Sequence, residues 1–500
     1  LQRDAIDGVQ PVHVQVNNPA EIDALFDGAI VYAKGARMLV MVRALIGDDA
    51  LREGLKNYFE AHKYHNATGA DLWNALGKAA NLDIDAIMKS WLEQPGYPVV
   101  EAKVVDGQLQ LNQQQFFIGD GHDTGRLWQI PLNANYKEAP QIMKEKAISL
   151  GNYQELRQQN GKPFRLNVGN NSHFIVKYDQ TLMNDLLDHL DELNAIDQRQ
   201  ILQDFRLLAD GQQLSYADII PLLPQFADSH SEIVNTALYA IVNKLKQFVT
   251  PDSAEEKALK KFVNQLSAKQ VSRLGWEPRA GESNDDQLTR PIVLGAALYA
   301  ENSEAIKAAH EIFTNNHQRL EKLSADIRPL VLRNEVKHYG SKDLFNEFLE
   351  DYRETTDASY KGDLNSAITS TPDNSLITEL ISEFENADTI KPQDLRGWYR
   401  NVLANNAGQQ AAWDWIRNDW DWLEKTVGGD MEFATYITVT ANVFHTPTRL
   451  TEFKQFFEPK IDTPGLTREI TMDISVIESK VKLIQAEKDA VIQALQSVNR

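Results

Sequence analysis

The 500-residue sequence contains no cysteine. Disulfides and thiolate metal sites are therefore excluded, and a reducing, cytoplasmic setting is expected. No run approaches the ~20 apolar residues that span a bilayer. The most apolar stretch, Ala36 to Ile46, is interrupted by Arg37 and Arg43, so no membrane partner is expected. No segment has the order of a secretion signal. Positive charge is scarce: 51 Lys+Arg face 71 Asp+Glu, for a net charge of −20, and no Lys/Arg run stands out. Such a chain repels phosphate backbones, which argues against a nucleic-acid partner. An initiating Met is also missing. The chain opens at Leu1 in mid-pattern, as expected of a processed or cut fragment.

What is present has the balance of a globular protein, with 42% hydrophobic and 24% charged residues. The length suggests two to four domains. Three zones differ in periodicity, and we expect domains over 1–96, 97–179 and 180–500. The first zone reads as helical. Ile30 to Ile46 is apolar on nearly all sides, which predicts a buried helix. Gly47 stops it and Asp48 caps the next helix, where Leu51, Leu55, Tyr58 and Phe59 share a face. Thr68 and Asp71 form a capping box. A further helix carries Ile84, Ile87, Met88 and Trp91 and ends at Pro95-Gly96.

The second zone alternates with period two. Val100, Ala102 and Val104 face one way, and Asp106-Gly107 supplies a tight hairpin turn before Leu109 and Leu111. Trp128, Ile130, Leu132, Ala134 and Tyr136 alternate, as do Phe164, Leu166 and Val168, then Phe174, Val176 and Tyr178. Short strands between Gly- and Asn-rich turns predict a small β-sandwich. The third zone returns to helical period. Ile201, Phe205 and Leu208 mark a face ended by Gly211, and Ser215 with Asp218 reads as another capping box. Short amphipathic helices then continue to the C-terminus, a pattern that suits a superhelix of helical pairs.

One stretch carries chemistry. Val31-Tyr32-Ala33-Lys34-Gly35-Ala36 places a Tyr, a Lys and a Gly at the start of an apolar helix. A buried Tyr needs a partner for its hydroxyl. Gly inside a helix costs ~1 kcal/mol against Ala, so a close approach is expected at Gly35. On pattern alone, a core tyrosine and a packing glycine are the ordinary reading.

Tyr32-x-Lys34-Gly35 resembles the Tyr-x-Lys-Gly signature of the aminopeptidase N family of zinc (gluzincin) metallopeptidases. The surroundings are similar too: Asp4-Ala5, Pro19-Ala20-Glu21-Ile22, Phe26-Asp27, Asn66-Ala67-Thr68, Asp71-Leu72-Trp73, and Trp91 with Gln94-Pro95-Gly96-Tyr97-Pro98-Val99-Val100. Asn167-Val168-Gly169 and Val176-Lys177-Tyr178-Asp179 resemble the end of that family's β domain. The likeness covers the chain and is most specific over residues 1–100. Ala33 stands where the family often has Glu, and Pro11-Val12-His13 where relatives have Ser-His-Pro.

The resemblance implies a multidomain, mainly α fold. Its parts would be the helical rear of a thermolysin-like catalytic domain, a β-sandwich, and a superhelical (HEAT/armadillo-like) C-terminal domain that restricts access to the active site. It implies a peptide substrate and removal of N-terminal residues by zinc hydrolysis. In that family zinc polarises the scissile carbonyl, a Glu activates the bound water, and the tyrosine matching Tyr32 donates to the developing oxyanion. Tyr32 is thus the expected catalytic residue, with Lys34 and Gly35 fixing local structure.

The family's HExxH zinc helix and Gly-Ala-Met-Glu-Asn loop are absent. His310-Glu311 comes nearest, but Thr314 replaces the second His. No metal ligand is expected in this chain, and the zinc of the parent would need an upstream part of the same protein as partner. His62 and His65 could share a helix face but lack a third ligand. His13, His173 and His445 read as surface or satisfied histidines. Trp413, Trp415, Trp420 and Trp422 read as interhelical packing rather than a binding platform. Glu347, Glu350, Asp351 and Glu354 read as a solvated face. Two rival readings are a non-catalytic helical scaffold that holds a peptide or protein, and a leukotriene hydrolase, whose group shares the signature.

Overall fold

The computed structural model describes residues 1–19, 22–430 and 432–499, with only the backbone described for Asp23 and Ala24. Ala20 and Glu21, part of the motif before the first helix, lie outside the described residues. The chain divides into two units: Leu1–Leu214 with Pro464–Ser479, and Ser215–Thr463 with Lys480–Arg500.

In the first unit the signature opens a helix of two kinds. Ala29–Lys34 is π-helical and runs into α1, Gly35–Ile46. The helix is not buried on nearly all sides. Ile30, Lys34, Met38, Met41 and Val42 face inward, while Tyr32, Leu39 and Val40 are exposed. Apolar composition shows which residues favour burial, but not whether a neighbour covers each face. Gly47 (φ +83°) ends α1 and α2 follows, Asp48–His62. Leu51, Leu55 and Tyr58 are partly buried on it, but Phe59, expected on the same face, is exposed. Thr68 closes its capping box with Asp71 at the head of α3, Gly69–Ala80. Asp83 caps α4, Ile84–Leu92, which buries Ile84, Ile87, Met88 and Trp91.

The expected hairpin is present. β1 (Pro98–Val105) and β2 (Gln108–Gln115) are antiparallel, and Asp106 and Gly107 both have positive φ, as a type I′ turn requires. With β5 (Ala147–Asn152) and β6 (Ile175–Tyr178) they form a sheet of order β5-β2-β1-β6, in which β6 runs parallel to β1. The expected strand at 128–136 shortens to β3, Ile130–Pro131, paired with β4, Ile142–Met143. Trp128, Ile130, Leu132 and Tyr136 are buried as expected, but Pro131 is buried too and Ala134 only partly, so the alternation is not strict. The strand expected at 164–168 is not regular either. It bonds to 132–135 through Asn167 N–H to the Leu132 carbonyl at 2.8 Å and Asn135 N–H to the Arg165 carbonyl at 3.0 Å. A helix, α5 (Tyr153–Asn160), also lies inside this zone. One core joins helix residues such as Met41 and Trp91 to sheet residues such as Val100 and Leu111, and reaches Leu207 and Leu208 of α7, Ala195–Asp210, after α6, Gln180–Asp188.

The second unit is helical from Tyr216–Ile219 onward. The Ser215 box does not form as expected. Ser215 accepts from Ala217 N–H rather than from Asp218 N–H, and Glu487 takes the Ser215 hydroxyl at 3.3 Å and the Tyr216 N–H at 2.9 Å. Ser253, Ser283, Asn302, Ser341 and Asp357 each cap a following helix through the side-chain oxygen. Ala254–Leu274 packs on Asn284–Tyr299, and Arg328–Tyr339 on Ala358–Ile368.

Candidate active-site residues

Tyr32 is 67% exposed, so it is not a core tyrosine. Its ring meets the edge of Phe26 with centroids 5.6 Å apart, and its hydroxyl has no partner among the described residues. The phenol is therefore free to donate to something outside the chain.

Lys34 is the opposite case. Two residues on, about 200° around a helix, it is 1% exposed. Its ammonium reaches both Asp4 oxygens, at 3.1 Å and 2.9 Å, and the Gly96 carbonyl at 2.8 Å. Asp4 also takes the Gly96 N–H at 3.3 Å and meets His173 Nε2 at 3.0 Å. Burial opposes the Asp4 charge, but Lys34 and His173 more than offset it and hold the carboxyl below its ordinary value. For Lys34 burial outweighs the help of Asp4, and the ammonium loses its proton more readily than a free lysine. Burial pushes His173 down to about 4, against the pull of Asp4. At neutral pH His173 is therefore a neutral imidazole beside the Asp4–Lys34 pair.

Arg37, one turn after Lys34, donates to the carbonyls of Asn170 at 2.6 Å and Ser172 at 2.8 Å. The close approach expected at Gly35 is absent. The nearest atom to an added Cβ would be the Ile30 carbonyl oxygen at 4.0 Å. Gly35 instead donates its N–H to Ile30, five residues back, closing the π-turn.

Sequence reading had Asp4 and Lys34 in view but missed that His173 joins them 169 residues away. The available signal was the buried lysine itself, which demands a counter-ion. Other candidates resolve simply. His62 lies 4.0 Å from Asp71, and no group of three His, Asp or Glu that could hold a metal forms among the described residues. His310 pairs with Glu335 at 2.8 Å and stacks on Tyr339. Trp413, Trp415 and Trp420 are buried, and Trp413 packs edge-on against Phe444 and Phe456. His13 is exposed and His445 half-buried.

Comparison with known proteins supplies the family. Residues 1–91 match the peptidase family M1 domain and residues 164–479 the ERAP1-like C-terminal domain. The chain belongs to the aminopeptidase N family. It is 63% identical over 496 residues to aminopeptidase N of Lactobacillus helveticus and 57% identical over 500 residues to that of Lactobacillus delbrueckii subsp. lactis. It is 27% identical over 510 residues to aminopeptidase M1 of Arabidopsis thaliana. Each comparison covers 98–99% of this aminopeptidase N-family chain but only 57–59% of the relative. No described helix is long and apolar enough to cross a membrane.

Proposed function

We propose that this chain is part of a zinc aminopeptidase that removes N-terminal residues from peptides, and that Tyr32 is its catalytic residue. The observation that carries the reading is Tyr32 itself. It sits in the family signature, exposed, with a hydroxyl that no described residue engages, on a segment anchored in the core. As a scissile carbonyl becomes tetrahedral, charge builds on its oxygen. A phenol O–H aimed there binds the transition state more tightly than the substrate.

The described residues do not fit a zinc ion, because no three ligands converge. On this reading the metal is held by an upstream part of the same protein. Eight of the thirteen large apolar side chains exposed among the described residues fall between Val16 and Tyr64. That concentration around Tyr32 supports a face built to be covered by the upstream part. Residues 1–96 would then be the rear of the catalytic domain, 97–179 the β domain, and 180–500 the superhelical domain that limits access to cytoplasmic peptides.

The test joins this chain behind the upstream region of the Lactobacillus helveticus relative and assays an aminoacyl chromogenic substrate with zinc. Activity should appear in the joined protein and not in this chain alone. Tyr32→Phe should lower it by ~10²–10³. A Tyr32→Phe protein as active as the unaltered one would remove the catalytic assignment.

A further inference from the structure

We infer that Lys34, Asp4 and His173, with Arg37 as a second grip, are positioning residues that fix the direction of Tyr32. The inference rests on the reading of Tyr32 as catalytic. Among the described residues Tyr32 has little of its own to hold it: one edge contact with the half-exposed Phe26 and no hydrogen bond from its hydroxyl. Its aim is therefore set by its backbone, and that backbone is the widened turn Ala29–Lys34. A π-turn is a less favourable conformation than the α-helix and persists where its surroundings hold it.

Both ends of the turn are held. At its start, Ala29 N–H bonds the Asp27 carboxylate at 3.0 Å, while Ile30 and Val31 bond the Asp27 carbonyl at 2.9 Å. Asp27 is itself paired with Arg3 at 3.0 Å. At its end, Lys34 is fixed to Asp4 and Gly96, and Asp4 to His173. One turn later Arg37 grips the same 170–173 segment that carries His173. The signature helix is thereby pinned to the chain's first residues, to the bend at Gly96 and to the segment before β6.

Stability alone does not account for such a cluster. A buried ion pair gains little over well-packed apolar groups of the same size. What three directional bonds on one ammonium provide is a fixed rotation of the helix. Because Tyr32 lies on the face opposite Lys34, fixing one aims the other. Misplacing a catalytic group by about 1 Å can cost ~10²-fold in rate.

The test uses the chimera with the Lactobacillus helveticus upstream region and the double variant Asp4→Asn with Lys34→Met, which removes both charges together. We expect kcat to fall about ten- to hundredfold with KM nearly unchanged. In a Tyr32→Phe background the same pair should cost almost nothing further, because it acts through Tyr32. An equal loss in both backgrounds overturns the inference. A second readout needs no activity. In the 500-residue chain, hydrogen exchange at the Gly35 amide, which closes the π-turn, should speed at least about tenfold in the double variant while amides of α3 keep their protection. Unchanged Gly35 exchange also overturns it. If Tyr32→Phe proves silent, the functional reading fails and the Gly35 amide still decides the clamp. If the double variant does not fold, Arg37→Gln, which removes only the partly buried grip, is read the same way.

Discussion

A histidine that is 2% exposed and faces a carboxylate responds to acid in a definite way. The charged groups facing His173 are Asp4, Lys34 and the Leu1 amino group. Burial lowers its pKa to about 4, below the ordinary 6.5. Between those values the unfolded chain takes up a proton that the folded chain refuses. The contribution of His173 is therefore complete above pH 6.5 and is lost as the pH falls toward 4. Its size is on the order of 3 kcal/mol. The depressed Asp4 carboxyl adds a loss at lower pH still, as it takes up its own proton. Urea unfolding of the first unit should weaken between pH 7 and 4.5, and His173→Gln, which can still donate to Asp4, should flatten that slope. Equal slopes in the two proteins would show that His173 is not held neutral.

At the scale of elements, α2 and α3 cross where a glycine permits it. A Cβ on Gly54 would lie 2.8 Å from Leu76 Cδ2 and 2.9 Å from Leu76 Cα. The second contact is with backbone-bound carbon and cannot swing away. Gly54→Val should destabilise the first unit by about 1–3 kcal/mol, read as a shift in urea midpoint. No shift would mean the two helices part freely. Elements governed by local chemistry were legible in the sequence: the Thr68–Asp71 box, the Asp106-Gly107 turn and the Gly211 stop all formed where their residues stand. What depends on distant partners was not. The π-turn, the uncovered side of α1 and the bonds of Ser215 and Tyr216 to Glu487 depend on residues distant in the sequence. Helix α5 had its signals, an Asn152 cap and Gly161 in the left-handed region. It lay within a zone of period-two alternation and carries few apolar residues to mark a helical face. Of the candidate site, Tyr32 was legible through its motif, whereas the partner of Asp4 was not, since nothing local in the sequence links residue 173 to residue 4.

Across the whole molecule, the chain's last part returns to its first. Pro464–Ser479, including the start of the C-terminal helix Thr467–Val498, belongs to the same unit as the signature. Met472 packs with Ile6, Val9 and Ile30 in a small separate core, directly beneath the π-turn. Arg3 bonds Glu469 at 3.0 Å, 466 residues away, and Arg468 lies 3.7 Å from Asp27. The start of the turn thus leans on residues more than four hundred positions further along the sequence. Closing so long a loop costs chain entropy, which only contacts made late in folding repay. Met472→Ala should open a cavity among Ile6, Val9 and Ile30 and cost about 2–5 kcal/mol, whereas Met472→Leu conserves volume and should cost less than about 1.5. The loss should be local first: exchange at the Ile30 and Val31 amides should speed before that of β1 or β2. If Met472→Ala leaves those two amides as protected as before, the returning segment does not support the signature turn. The turn would then be held by Asp4, Lys34 and His173 without help from the C-terminal segment.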